Sequence, residues 1–350
     1  MVQTLGKARL EFVDWMKVIG MYAIILGHFA PPDLQSLVYS FSVQLFFFIS
    51  GFLFHVEDNG KNFWKKNIRN LFVPYLIWGV FRLITYNLKC LDFTILLNSL
   101  VGLFLGCNNF MGVRGCGELW FVATLLFLKV ILQYGKSIKF VCFFFVVSLF
   151  VAILYRKLIA SSEWEYMGFA LGNVFVAYLF FSLGYLLAKR YKPRVIKLFS
   201  CCERFTLMNS IAMGIVLLMM WNSVNYNGVV LMVYGQYGNS IALYLLFGII
   251  GILFAFLLST ILKRMISKEF AYIINVGSIM ILGLHTMMIT LIRPHLAKCV
   301  DGNSFALDFS MALASLVILC LFVPIIKFMM KYAPVALGSR GKIKDIKNYL

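Results

Sequence analysis

Acidic residues are scarce in this chain. Only 14 Asp and Glu stand among 350 residues, and charged residues of both signs make up 13%. A soluble core of that length needs far more polar surface, so an ordinary water-soluble domain is excluded. Histidine is rarer still, with 4 in the chain, and proline is limited to 7. The 8 cysteines show no CxxC pair and no metal-ligand spacing, so no metal site is implied. Cys107 and Cys116 flank a short polar loop and are the one pair placed for a disulfide, although unpaired thiols are the commoner use of cysteine in lipid-embedded chains. No small-residue cleavage site follows the first apolar run, so a cleaved signal peptide is not expected.

What fills the chain is apolar: 62% hydrophobic residues, with a mean hydropathy of +0.89. The expected class is all-α, a polytopic membrane helical bundle. The net charge of +18 does not indicate nucleic acid, because the basic residues are dispersed between apolar runs, as in cytoplasmic membrane loops. Spans are expected at 12–30, 35–56, 70–88, 118–135, 138–155, 168–188, 206–222, 240–262, 271–292 and 306–330. The shorter run 93–106 is either an eleventh span or an interfacial helix. Ten spans with both termini cytoplasmic place 24 of the 32 Lys and Arg inside and six outside (Lys89, Arg114, Arg156, Lys157, Arg293 and Lys298), with Arg82 and Lys129 inside spans. An eleventh span inverts that asymmetry, so ten is preferred. One domain over 1–335 and a basic tail over 336–350, in contact with anionic lipid, complete the organisation.

Ionisable residues inside spans are costly and point to function. On the first span Lys17 and His28 fall within about 20° of one helical face, with Asp14 about 40° from His28. Asp14 and Lys17 read as a pair near the inner surface. His28 near the outer end, Arg82 in the third span, Glu118 opening the fourth and His285 in the ninth converge on the outer half of the membrane. Each also has a structural reading: Arg82 as counter-ion to Glu118, and the histidines as interhelical hydrogen-bond partners. A second cluster, Lys65, Lys66 and Arg69 just before Pro74, sits at the inner surface. It either holds phosphates or serves topology alone. Gly51 with Ser50 permits close helix approach or a kink. His55 beside Glu57 and Asp58 is a surface histidine, and the Asn- and Tyr-rich loop 221–239 suits a carbohydrate surface or an ordinary interfacial one.

The stretches RLEFVDWMKVIGMYAIILGHF, LFFFISGFLF, FWKKNIRNLFVPYLIWG, GELWFVATLLFL, YLFFSLGYLLAKR and YIINVGSIMILGLH, in this order, resemble the acyltransferase-3 family of integral-membrane enzymes that O-acylate cell-surface glycans. The loop 221–239 with FGIIGIL resembles its fucose 4-O-acetylase-like subgroup. The resemblance implies acetyl-CoA or a related acyl-CoA as donor, a glycan or lipid-linked saccharide as acceptor, and a bacterial cytoplasmic membrane as location. It implies His28 as the essential histidine, and Lys65 or Lys66 with Arg69 as CoA or acyl-transfer residues. Lys17 joins that set at the inner surface. Many relatives carry His-Met-Pro where this chain has Ser42-Val43-Gln44, a departure that bears on acceptor or mechanism.

The resulting expectation is a transmembrane acetyl transfer with His28 as general base, Arg82 stabilising the oxyanion, and Glu118 and His285 completing the catalytic set. An acetyl-histidine relay is a variant. A saccharide flippase or a proton-coupled transporter without CoA chemistry is the alternative. No metal and no nucleic acid are expected, and a homo-oligomer is left open.

Overall fold

The computed structural model describes residues 10–87, 92–158, 171–299 and 304–340. The basic residues at 1–9 and 341–350, with Lys89, lie outside them, and the side chains of Arg156, Lys157 and Lys298 are not described. The described chain is helical almost throughout: α1 (Glu11–Phe29), α2 (Pro32–Tyr39), α3 (Ser42–Phe52), α4 (Gly60–Asn67), α5 (Val73–Asn87), α6 (Phe93–Phe104), α7 (Trp120–Tyr134), α8 (Ile138–Leu158), α9 (Leu171–Arg204), α10 (Thr206–Asn227), α11 (Ile241–Met265), α12 (Lys268–Val276), α13 (Ser278–Cys299) and α14 (Ser304–Tyr332). Two two-residue hairpins, β1 (Asn109–Phe110) with β2 (Val113–Arg114) and β3 (Val230–Leu231) with β4 (Gln236–Tyr237), are its only strands among the described residues.

Seven helical segments in the described residues are long and apolar enough to cross a membrane, and α12 with α13 makes an eighth if a bent pair counts as one span. Each of the ten expected spans meets a helix. Those over 70–88 and 138–155, however, are not among the seven, because α5 is 15 residues long and carries Arg82, and the stretch Ile138–Leu154 is short. The chain is a multi-pass all-α membrane protein.

α1 is apolar over most of its surface and is enclosed by α2, α3, α11, α12, α13 and α14. Glu11 and Asp14 in its first turn suit the positive end of the helix dipole. Pro31 and Pro32 end it: the residue before a proline is held extended, and Ala30 has φ −69° and ψ 157°. Pro32 then opens α2, where a missing N–H costs nothing. α10 and α14, by contrast, turn Leu207, Met208, Leu218, Phe309 and Leu313 outward, as lipid-facing helices do. α3 lies almost backbone to backbone on α9. A Cβ at Gly51 would meet the Phe181 carbonyl, and one at Gly184 the Phe48 carbonyl. The expected close approach at Gly51 is therefore present and reciprocal.

Three segments depart from their expected form. The span at 271–292 is broken at Gly277, where α12 and α13 meet at 82°. Its lower part lies across the bundle, so His285 stands only about 10 Å of helix rise above the break at Ser278. α9 runs 34 residues, past the expected 188, so the basic run Lys189 to Arg204 is helix rather than loop. Third, α6 packs on its neighbour α5. It doubles back along α5, where the Leu103 carbonyl accepts from Tyr75 Oη at 2.5 Å, and the β1–β2 hairpin returns the chain to Arg82. The segment Pro334–Arg340 is packed, with Trp78 Nε1 donating to the Ala336 carbonyl at 2.8 Å, so the start of the expected tail belongs to the bundle.

Candidate functional site

The bundle has two chemically distinct ends. At one, Lys263 at the end of α11 bridges Glu11 of α1 and Glu203 of α9, each at 2.9 Å, and Lys327 of α14 meets Glu269 of α12 at 2.9 Å. At the other, about 26 Å of α1 away by helix rise, stands His28.

His28 is a residue from the end of α1, and two helices close around it. α2 brings Tyr39, whose hydroxyl hydrogen-bonds His28 Nδ1, with the two rings edge to face at 5.6 Å. α13 brings His285, whose ring lies 4.8 Å from that of His28 at 30°. α13 also brings Arg293, which donates from Nη2 to the carbonyls of His28 (2.9 Å) and Phe29 (3.3 Å), a cation on the carbonyl end of α1.

His285 is fully buried, and its Nδ1 faces the carbonyls of Ile281 at 2.9 Å and Leu282 at 3.1 Å. A carbonyl only accepts, so Nδ1 carries the proton and Nε2 the lone pair. That Nε2 is buried without a hydrogen-bond partner. A buried bare acceptor is costly unless something fills the place, which marks the spot in front of the two imidazoles as one for a hydrogen-bond donor.

Beside the imidazoles lies the ion pair of Arg82 (α5) and Glu118, whose turn Gly117–Leu119 opens α7. The Arg82 side chain is 2% exposed and that of Glu118 21%. Both charges act electrostatically on both imidazoles. Gly117, at φ +51°, lets the guanidinium lie against the backbone, where any Cβ would overlap it. Tyr86 covers the pair, with Arg82 5.3 Å and Arg114 4.6 Å from its ring centre, and its hydroxyl is 3.5 Å from Thr286 Oγ1.

Of the sequence-derived candidates, His28, Arg82, Glu118 and His285 are thus brought together from four separate segments. Lys17, Lys65, Lys66 and Arg69 are elsewhere. Lys17 is half-buried in the lower part of α1, where neighbouring Asp14 accepts from Asn275 Nδ2 at 3.2 Å. Lys65, Lys66 and Arg69 are exposed, and Lys66 is bound to Glu57 at 2.5 Å. A π-helical turn, Ile68–Phe72, carries Arg69 and precedes Pro74, which has no N–H to continue the α ladder. Cys107 and Cys116 are buried, and His55 is exposed. Among the described residues no His, Cys, Asp and Glu group is placed to hold a metal.

Sequence reasoning missed Tyr39, Gln35 and Arg293. The one available signal was Pro31-Pro32 directly after His28, which forces a turn and sends the following short helix back past the imidazole.

Such a site, set in a helical bundle and furnished with two neighbouring imidazoles and a fixed ion pair, belongs to a membrane-embedded enzyme or carrier. The comparison with family models decides between them: the acyltransferase-3 model, described as an acyltransferase domain, matches residues 10–333. The chain belongs to that family and is a membrane acyltransferase. Neither the curated proteins nor the solved structures gave a match.

Proposed function

We propose that this acyltransferase moves an acetyl group from cytoplasmic acetyl-CoA to a hydroxyl of a cell-surface or lipid-linked glycan, in a bacterial inner membrane. The observation that carries the reading is the pair of adjacent imidazoles, 4.8 Å apart, beside Arg82 and Glu118. A sugar hydroxyl is too weak an acid to attack a thioester unaided, and a base held in place supplies what it lacks. His28 takes the hydroxyl proton. The oxygen attacks the thioester carbon, the tetrahedral intermediate collapses, and the CoA thiolate leaves and receives a proton. Arg82, fixed by Glu118, supplies positive charge on the side where negative charge develops.

The basic end of the bundle is taken as cytoplasmic, with ten spans and both termini inside. CoA phosphates rest on Lys65 and Arg69, with Lys66 shared with Glu57 and Lys17 further along the path. The pantetheine arm then rises between helices towards His28. The fucose 4-O-acetylase-like subgroup suits the outer hairpin β3–β4, which sits beside α2 and presents Tyr234 and Asn239. A carrier reading is weaker: a single bent pair of helices breaks a span among the described residues, whereas inverted repeats break two in corresponding places.

The test is release of CoA thiol from acetyl-CoA by purified protein with a membrane glycan fraction as acceptor. Wild type should turn over, and His28→Ala, folded and inserted, should lose at least about a hundredfold. Equal rates for the two would end the assignment.

A further inference from the structure

We infer that the acceptor carries a negatively charged group, a phosphate or a carboxylate, and that Arg114 and Arg293 bind it beside the imidazole pair. This rests on the acceptor reading above and narrows its class to anionic glycans. Among the described residues, the Lys and Arg at the His28 end are Arg82, Arg114 and Arg293, and all three are attached to the cluster. Arg82 is spent on Glu118. Arg114, exposed on β2, lies 4.6 Å from the ring centre of Tyr86, the same ring that meets Arg82 at 5.3 Å. Arg293 uses Nη2 on the His28 and Phe29 carbonyls, and nothing among the described residues accepts from its other nitrogens.

No Asp or Glu among the described residues forms an ion pair with Arg114 or Arg293. Asp33, in the first turn of α2, is exposed and pairs with neither. On the orientation proposed above this end faces outward, where loops are poor in Lys and Arg, so topology gives no reason for the two cations. A guanidinium fork matches the paired oxygens of a carboxylate or phosphate. α13 joins the two positions. Thr286, Thr290 and Arg293 recur at i, i+4 and i+7, within about 60° of one face, and every residue between them is apolar. Thr286 Oγ1 is 3.5 Å from the Tyr86 hydroxyl, so the stripe begins beside the ring that carries Arg114. It ends at Arg293, about 10 Å further along the helix. Leu291, 68% exposed, turns a different face to lipid. A polar stripe is costly against lipid, so this one borders a polar space. His285 adjoins Thr286 and faces His28. A glycan laid along the stripe offers its hydroxyls to the imidazoles and its charge to the arginines.

The test separates binding from turnover. A membrane glycan fraction is divided by anion exchange into neutral and anionic pools, tritiated, and passed over immobilised full-length protein in neutral detergent without acetyl-CoA. Wild type should retain the anionic pool and let the neutral one pass. Inorganic phosphate should displace the retained pool more than sodium chloride of equal ionic strength does. Arg114→Gln and Arg293→Gln should each weaken retention about tenfold, the weight of one charge-assisted hydrogen bond. The Lys variants, which keep the charge, should lose less. Arg114 lies on an exposed hairpin, so its variants decide the matter even where Arg293→Gln fails to fold. Equal retention of both pools, or unchanged retention in Arg114→Gln and in every folded Arg293 variant, would overturn the inference. So would loss of retention in micelles with phosphatidylglycerol but not phosphatidylcholine, which would assign the arginines to lipid headgroups. If the anionic pool binds as stated while neither pool releases thiol from acetyl-CoA, the anion site stands and the acetyl-transfer reading fails instead.

Discussion

Removing Glu118 should cost more stability than any other single change at the site. Arg82 is 2% exposed and its guanidinium cannot shed its charge, so Glu118→Gln leaves a buried cation without a counter-ion. In a medium of effective dielectric near 20 two unit charges in contact attract by about 4 kcal/mol. Breaking one side of such a pair is worth about 3–5 kcal/mol. Arg82→Met should cost less, because Glu118 is 21% exposed and can take up a proton. The double variant should be no less stable than the milder single, since a pair replaced whole is near neutral. Reversible unfolding in mixed micelles, run as a double-mutant cycle, reads the difference, and a coupling of at least about 3 kcal/mol is expected. A coupling below about 1 kcal/mol, the range of solvent-exposed pairs, would refute the reasoning.

The remaining predictions are simpler. Lys65→Ala with Arg69→Ala should weaken binding of acetyl-CoA by about tenfold to a hundredfold through lost charge-assisted bonds, measured by calorimetry, with thermal stability unchanged. Gly51→Ala should destabilise by about 1–3 kcal/mol, since its Cβ has only the Phe181 carbonyl to displace; thermal unfolding in detergent checks this. Gly117→Ala should lower acetyl transfer with little change in the KM for acetyl-CoA, because it moves the Arg82 guanidinium rather than the inner basic cluster.

How far the sequence led differs from element to element. The placement of His28, Arg82, Glu118 and His285 towards one end was legible from span depth, since an apolar helix advances a fixed distance per residue. Their mutual contacts were not, because depth says nothing about rotation or neighbours. The break at Gly277 escaped notice since hydropathy is continuous from Phe270 to Ile292, and only the packing of Ile326 against Gly277 shows where the chain turns. Length left α6 open and loop charge argued against a crossing, but its path along α5 shows only in the packing, where Tyr75 and Gly79 receive Leu103.

The sequence by itself determined the class of molecule, the family and the residues with chemistry to offer. A bilayer admits few apolar patterns, and every ionisable group placed within one stands out. Only the tertiary structure decided how those groups work on one another. Tyr39 is an unremarkable tyrosine in a short helix until Pro31 and Pro32 fold that helix back onto α1. There its hydroxyl meets His28 Nδ1, while Gln35 of the same helix holds the Gly27 carbonyl. Which donor finds which acceptor is fixed by packing across helices rather than by order along the chain.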